Sequence, residues 1–143
     1  GSNFFLRGID FRQELFYLSL QILVNNLYFG IGLNNFFIHQ AQLIEEISPI
    51  LFQPVHNIFV FVLLSLGVFA FWIFPATFLI ALQILFKKIK TPSLEIRDFY
   101  KSVAIVLIGI LFGGMFDHFF LTLEQGQIML ALILGLSFTR LKS

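Results

Sequence analysis

The stretch IFVFVLLSLGVFAFWIFPATFLIALQILF occupies residues 58–86 and carries no charged side chain over its 29 positions. As a single α-helix it would extend about 43 Å, which is more than the roughly 30 Å of hydrocarbon in a bilayer. The stretch therefore predicts a tilted membrane-spanning helix. Pro75 lies inside it and predicts a kink, because proline lacks the N–H group that a helix interior uses as a donor.

The composition of the whole chain agrees with this prediction. Of its 143 residues, 58% are hydrophobic, 21 are phenylalanine and only 12% are charged, whereas a soluble domain carries about 25% charged residues. The net charge of +1 offers no basis for binding nucleic acid. Cysteine is absent, so disulfides and thiolate ligands are excluded. Because the chain begins without methionine or a signal-peptide pattern, we expect a fragment of a larger membrane protein.

The N-terminal part, residues 1–57, predicts a helical and loop region at the outer face of the membrane. Its first half is apolar but punctuated by amides, which favours either an interfacial helix or the end of a span. Gly30 and Gly32 predict a break, because glycine accepts unusual backbone angles. Residues 39–48 then predict a short amphipathic helix.

The C-terminal part predicts further helices and one polar loop. Residues 87–101 predict the loop, and residues 103–139 predict two short apolar helices that meet near residues 117–127. Together with the first stretch, these segments predict an all-α polytopic membrane protein with about three membrane helices across residues 58–139.

The basic residues predict the orientation of these helices. If the loop at 87–101 and the C-terminus share one side, that side carries seven basic residues: Lys87, Lys88, Lys90, Arg97, Lys101, Arg140 and Lys142. The other side keeps only Arg7 and Arg12. Basic residues concentrate on the cytoplasmic side of membrane proteins. His56 and His118 are therefore expected at the periplasmic face.

His56 stands directly before the long apolar stretch, and Gly67 follows eleven residues later. On a continuous helix this spacing places Gly67 on the same face as His56, about 16 Å deeper. One interpretation is an interfacial histidine above a glycine that packs helices. The other is a histidine held at the membrane surface as a general base.

Other charged groups have two interpretations as well. Arg12 can bind a phosphate through its guanidinium fork, or it can be a surface arginine that pairs with a nearby acid. Asp117 and His118 interrupt an apolar run, which is often functional beside a membrane but also marks a turn. His39 is interpreted as a loop histidine.

Several common motifs are absent from the sequence. Gly30 and Gly32 lack the third glycine of a dinucleotide-binding loop, and no HExxH or GxSxG segment is present. No group of carboxylates has the spacing of metal ligands. We therefore expect no metal and no cofactor.

Four segments, taken in order, resemble the C-terminal part of the O-antigen ligase family of bacterial membrane glycosyltransferases. They are FRQELF with Arg12, the glycine-rich GIGLNNF at 30–36, His56-Asn57 followed by nine residues and Gly67, and Asp117 with QGQ at 125–127. Ala70 stands where the family carries Gly, Thr or Tyr, and Tyr28-Phe29 stands where proline is common. The family's N-terminal spans and its second arginine are not visible here.

The resemblance implies that residues 1–143 are the C-terminal part of one membrane transferase domain, inactive by itself. The full enzyme would transfer a glycan from undecaprenyl diphosphate to a hydroxyl of a lipid A–core type acceptor at the periplasmic face of the bacterial inner membrane. Joining glycans to each other or to protein stays open. A non-catalytic membrane scaffold or a transporter fragment is the alternative.

The resemblance also assigns roles to individual residues. His56 would be the general base, and Arg12, Asn57, Asp117 and His118 would bind the substrates. Gly67 and Gly32 would be structural. The implied partners are the lipid-linked glycan donor, the glycolipid acceptor and membrane lipids, with no nucleic acid, metal or cofactor.

Overall fold

The computed structural model describes residues 2–33, 35–43, 53–91 and 93–141, with side chains from residue 11 onward. In these ranges the chain is all-helical, as the sequence predicts. The helices are α1 (Ser2–Asn25), α2 (Phe36–Leu43), α3 (Ile58–Phe71), α4 (Ile73–Lys88), α5 (Leu94–Gly114), α6 (Phe119–Thr122) and α7 (Glu124–Phe138).

The predicted helix over residues 58–86 is divided into α3 and α4, with the break at Trp72 rather than at Pro75. Pro75 is the third residue of α4. In the first turn of a helix the N–H groups have no partner within the helix, so proline is tolerated there. In the part of the chain that the structure describes, no single helix combines the length and apolarity of a bilayer span, and the bent pair of α3 and α4 meets both criteria only together.

Helix α3 is itself interrupted at Gly67, which has φ +70° and ψ 174°. The carbonyl groups of Leu64 and Ser65 accept hydrogen bonds from the backbone N–H groups of Ile31 (2.8 Å) and Gly32 (3.0 Å) instead of continuing the helix. The prediction that Gly67 continues the helical face of His56 is therefore wrong. Gly67 interrupts the regular helix, and carbonyl groups just before it accept hydrogen bonds from the loop that follows α1.

Gly30 and Gly67 make this approach possible because neither has a side chain. A Cβ on Gly30 would lie 2.5 Å from the Gly67 nitrogen, and a Cβ on Gly67 would collide with the carbonyl group of Tyr28. Gly32, with φ +82°, continues the loop. We call the paired backbone of residues 27–32 and 64–68 the glycine clamp.

The chain divides into two compact units: residues 1–72 with 115–118, and residues 73–114 with 119–143. The first unit contains the glycine clamp. Its core is an apolar cluster on α1, α2, α3 and the segments between them: Ile22, Ile31, Phe36, Val55 and Leu64. This cluster joins α1, α2 and α3 in one apolar core. Helix α2 covers the start of the amphipathic helix predicted at 39–48, and residues 44–48 lie outside the described residues. His39 lies on α2 and not in a loop, contrary to its interpretation from the sequence.

The second unit packs α4, α5 and α7 around one core that includes Phe78, Leu85, Val103, Leu107 and Leu130. The predicted loop at 87–101 is mostly helical, since α4 continues to Lys88 and α5 begins at Leu94. In place of the two helices predicted in residues 103–139, the structure has the end of α5, the four-residue α6 and α7.

Polar groups of the predicted loop are accommodated because they bind the end of α7. The Lys88 ammonium donates to the carbonyl groups of Ser137 and Thr139, both at 2.8 Å. The buried Tyr100 hydroxyl donates to the Thr139 carbonyl at 2.9 Å. A cation at a helix C-terminus is favourable, because carbonyl groups without helical partners lie there.

Candidate functional site

His56 is held at the start of α3 by its neighbour Asn57. The Asn57 side-chain oxygen accepts hydrogen bonds from the N–H groups of Phe59 (2.9 Å) and Val60 (3.1 Å), which caps the helix. Its amide nitrogen donates to the carbonyl group of Met115 at 3.0 Å. Asn57 thus fixes where α3 begins and ties residues 115–118 to that end of the helix.

This tie brings Asp117 and His118 next to His56. Nδ1 of His56 lies 3.6 Å from Oδ1 of Asp117, and Nε2 of His118 lies 3.9 Å from the same oxygen. The two imidazole rings are tilted by 40° with centroids 5.1 Å apart. All three side chains are partly to largely buried. The group is one carboxylate between two imidazoles, and it joins His56 to two residues that follow much later in the chain.

The backbone N–H of His118 donates to Oδ1 of Asp117 at 2.7 Å, which orients the carboxylate. Burial lowers the pKa of His118 below its ordinary value of 6.5; the Asp117 carboxylate acts in the opposite direction, and His56 lowers the pKa further. The His118 imidazole therefore favours its neutral form.

A cavity of about 430 Å³ lies beside His56 in the same unit. It is lined by residues of α1, of the segment before α3 and of the turn after α5: Arg12, Gln13, Phe16, Tyr17, Val55, His56, Asn57, Met115 and Phe116. Arg12 is exposed on α1. Among side chains from residue 11 onward in the described part, no carboxylate is within ion-pair distance of Arg12.

The structure thus brings five of the residues singled out from the sequence to one region. Arg12, His56 and Asn57 line the cavity, and Asp117 and His118 lie beside His56. Gly32 and Gly67 are in the glycine clamp and do not line the cavity. The Arg7 side chain lies outside the described residues.

Sequence reasoning missed the apolar wall of the cavity and the pairing of His56 with Asp117. Phe16 and Tyr17 belong to an apolar helix and carry no chemical signature of their own. The proximity of His56 to Asp117 has no periodic signal, because it depends on how the chain returns to the start of α3. The sequence also indicates no metal ligands, whereas the structure assembles two histidines and one aspartate with donor atoms within 4.8 Å of one another.

Such a site can bind an anionic group beside a proton acceptor. Arg12 supplies a positive charge and five N–H donors, and His56 supplies an imidazole nitrogen that can act as a proton acceptor. Comparison of this chain with models of protein families, with curated proteins and with solved structures finds no match.

Proposed function

We propose that this chain contributes the site at which a membrane glycosyltransferase, similar to O-antigen ligases, transfers a lipid-linked glycan to an acceptor hydroxyl. The observation that carries the proposal is that Arg12 and His56 line the same cavity of about 430 Å³. The motif resemblance names these two residues independently of their positions in space.

Arg12 binds the diphosphate of the donor, a glycan on undecaprenyl diphosphate. Its planar guanidinium matches two phosphate oxygens through parallel hydrogen bonds. The diphosphate gains negative charge as the bond from the anomeric carbon to its oxygen breaks. A cation fixed next to that oxygen stabilises the transition state more than the ground state.

His56 acts as the general base for the acceptor hydroxyl. Its Nδ1 is buried against Asp117, which leaves Nε2 as the nitrogen that takes the proton. The acceptor oxygen attacks the anomeric carbon, the bond to the diphosphate breaks with its electron pair, and the hydroxyl proton moves to Nε2. General base catalysis of this kind contributes about 10²- to 10⁴-fold to the rate.

Asp117 orients His56 and stabilises the imidazolium that forms. The distance of 3.6 Å between Nδ1 and Oδ1 is longer than a hydrogen bond. Catalytic hydrogen bonds are often long without substrate and shorten in the complex. The neutral form of His118 keeps a second positive charge away from the carboxylate, so that Asp117 remains available to His56.

The proposal includes a location in the bacterial inner membrane, with the cavity at the periplasmic face and a lipid A–core type acceptor. Two observations support it. Seven of the basic residues fall in residues 87–101 and at the C-terminus, against two elsewhere. Large apolar side chains such as Phe29, Phe69 and Trp72 are strongly exposed, which is typical of surfaces that contact lipid or protein.

The decisive experiment replaces His56 by Ala in the full-length protein. The measurement is transfer of a labelled glycan from undecaprenyl diphosphate to the acceptor in isolated membranes. We expect His56→Ala to lower the rate at least about 100-fold. His39→Ala is the matched control, because His39 lies on α2 and does not line the cavity, and its rate should stay unchanged. Undiminished transfer by His56→Ala would leave the chain as a non-catalytic membrane scaffold.

A further inference from the structure

The side chains of His56, Asp117 and His118 place three possible metal ligands close together, which general base catalysis does not require. Each residue offers one ligand atom, and these atoms lie within 4.8 Å of one another. Among the described residues, Nδ1 of His56 is buried and makes no hydrogen bond. A buried polar atom without a hydrogen-bond partner is uncommon, because its lost hydration is not replaced.

The spacing of the donor atoms is close to that of a metal centre. Nitrogen and oxygen ligands lie about 2.0–2.2 Å from Zn²⁺, so two ligands of a tetrahedral site are about 3.4 Å apart. The separations of 3.6 Å and 3.9 Å from Asp117 to the two imidazoles exceed this value by only a few tenths of an ångström. The two imidazole nitrogens lie within 4.8 Å of each other, so the three side chains must move closer together to hold one ion.

The surroundings of the three residues also suit a metal ion. Asn57 ties residues 115–118 to the start of α3, which limits the loss of conformational freedom when a metal binds. The His118 backbone N–H orients the carboxylate, as outer hydrogen bonds do in metal sites. His118 is buried, and a neutral imidazole is the form that coordinates metals.

We propose that His56, Asp117 and His118 bind a divalent transition-metal ion, for which Zn²⁺ is the best match. Imidazole nitrogens favour zinc and its first-row neighbours, whereas Mg²⁺ and Ca²⁺ require mainly oxygen ligands. Three protein ligands leave one position for water or an anion.

The metal regulates the proposed transferase, and this consequence rests on the proposed function. When Nδ1 of His56 coordinates the ion, the neutral ring carries its proton on Nε2. Nε2 then has no lone pair to accept the proton of the acceptor hydroxyl. The metal-bound form is therefore inactive, and the metal-free form is active.

Metal binding is tested directly on the full chain, purified in mild detergent and freed of metal with a chelator. Zn²⁺ alone is titrated in a calorimeter, and the complex is examined by X-ray absorption. We expect one equivalent of Zn²⁺, two imidazole nitrogens at about 2.0 Å in the absorption spectrum, and no comparable binding of Mg²⁺. Equal binding of Mg²⁺, or no imidazole ligands, would overturn the proposal.

Variants assign the ligands. The chain contains three histidines and no cysteine, so His39 is a matched control for His118. His118→Gln and the nearly isosteric Asp117→Asn should each weaken Zn²⁺ binding at least about tenfold, whereas His39→Gln should not change it. Far-ultraviolet circular dichroism checks that each variant keeps its helices. Folded His118→Gln and Asp117→Asn variants with unchanged Zn²⁺ affinity would contradict the assignment.

The transferase assay separates this proposal from the proposed function. Zn²⁺ should inhibit transfer by the full-length protein. The Zn²⁺ concentration that halves the uninhibited rate of His118→Gln should be at least about tenfold higher than the concentration that halves the rate of the parent protein. If Zn²⁺ does not bind while His56→Ala abolishes transfer, the metal site is wrong and the transferase stands. If Zn²⁺ binds through both histidines while His56→Ala transfers normally, the metal site stands and the transferase is wrong.

Discussion

Asn57 and His56 are neighbours in the chain but have different roles in the site. His56 lines the cavity with a partly exposed ring, whereas both ends of the Asn57 side-chain amide are engaged within the protein. The resemblance implies substrate binding for Asn57. Its contacts indicate that its effect on the site is mainly positional, through the start of α3 and residue Met115.

Asn57 should therefore contribute measurably to stability. Asn57→Ala removes the helix cap, worth about 1 kcal/mol, and the bond to Met115, worth about another 1 kcal/mol. Asn57→Ser keeps a good cap but is too short to reach Met115, so we expect about half the loss. The measurement is the free energy of unfolding in urea, followed by circular dichroism. Equal stability of Asn57→Ala and the parent chain would show that these bonds contribute nothing.

Arg12 should act on binding of the donor more than on that of the acceptor. Arg12→Ala removes a hydrogen bond to a charged group, worth about 1.5–3 kcal/mol, which corresponds to a loss of roughly 10- to 100-fold in kcat/KM for the donor. Arg12→Lys restores the charge but not the bidentate geometry, and should recover part of that loss. The readout is transfer at varied donor concentration, with the exposed Arg140→Ala as control. A selective effect on the acceptor KM would contradict the role of Arg12.

At the scale of elements, the glycine clamp decides the geometry of α3. The conformation of Gly67, with φ +70° and ψ 174°, belongs to a region of backbone angles that is essentially restricted to glycine. The carbonyl groups released at Leu64 and Ser65 find donors on the loop after α1. Two elements distant in sequence therefore share one set of backbone hydrogen bonds.

Gly67→Ala tests the clamp. The new Cβ would meet the Tyr28 carbonyl and require disallowed backbone angles, so we expect a destabilisation of at least about 2 kcal/mol. Gly109→Ala is the matched control. Gly109 lies inside α5 with open space around the position of a Cβ, so this change should stabilise the chain by about 0.5–1 kcal/mol. Urea unfolding measures both, and similar effects of the two variants would disprove the clamp.

At the scale of the whole molecule, the main feature is how much apolar surface remains exposed. Phe29 is 83% exposed and Trp72 is 65% exposed. Leaving such side chains in water is unfavourable by about 25 cal/mol per Å² of apolar surface. The proposed membrane location accounts for this surface, since acyl chains or neighbouring helices would cover it.

Trp72 is the single tryptophan of the chain. Its fluorescence can therefore report whether this exposed apolar surface moves from water into lipid. On addition of phospholipid vesicles we expect its emission to shift to shorter wavelength and to become quenched by brominated lipid rather than by iodide, because the ring leaves water. The control combines Trp72→Phe with Lys90→Trp, which places the reporter on the exposed residue of a polar segment. There, quenching by iodide should persist. An emission of Trp72 that does not respond to vesicles would contradict membrane insertion.

Local patterns in the sequence determined the all-α class and the break at Gly30 and Gly32, which follow from composition, helical periodicity and backbone preference over a few residues. The roles of Arg12 and His56 came instead from the motif resemblance. Only the tertiary structure decided that α3 breaks at Gly67, that residues 94–101 are helical, and that Asp117 lies beside His56. Each of these depends on partners far away in the chain: loop donors for Leu64 and Ser65, the end of α7 for Lys88 and Tyr100, and the Asn57 bond to Met115 for Asp117. Hydrogen bonds between distant segments leave no periodic signal, so they become visible only when the chain has folded.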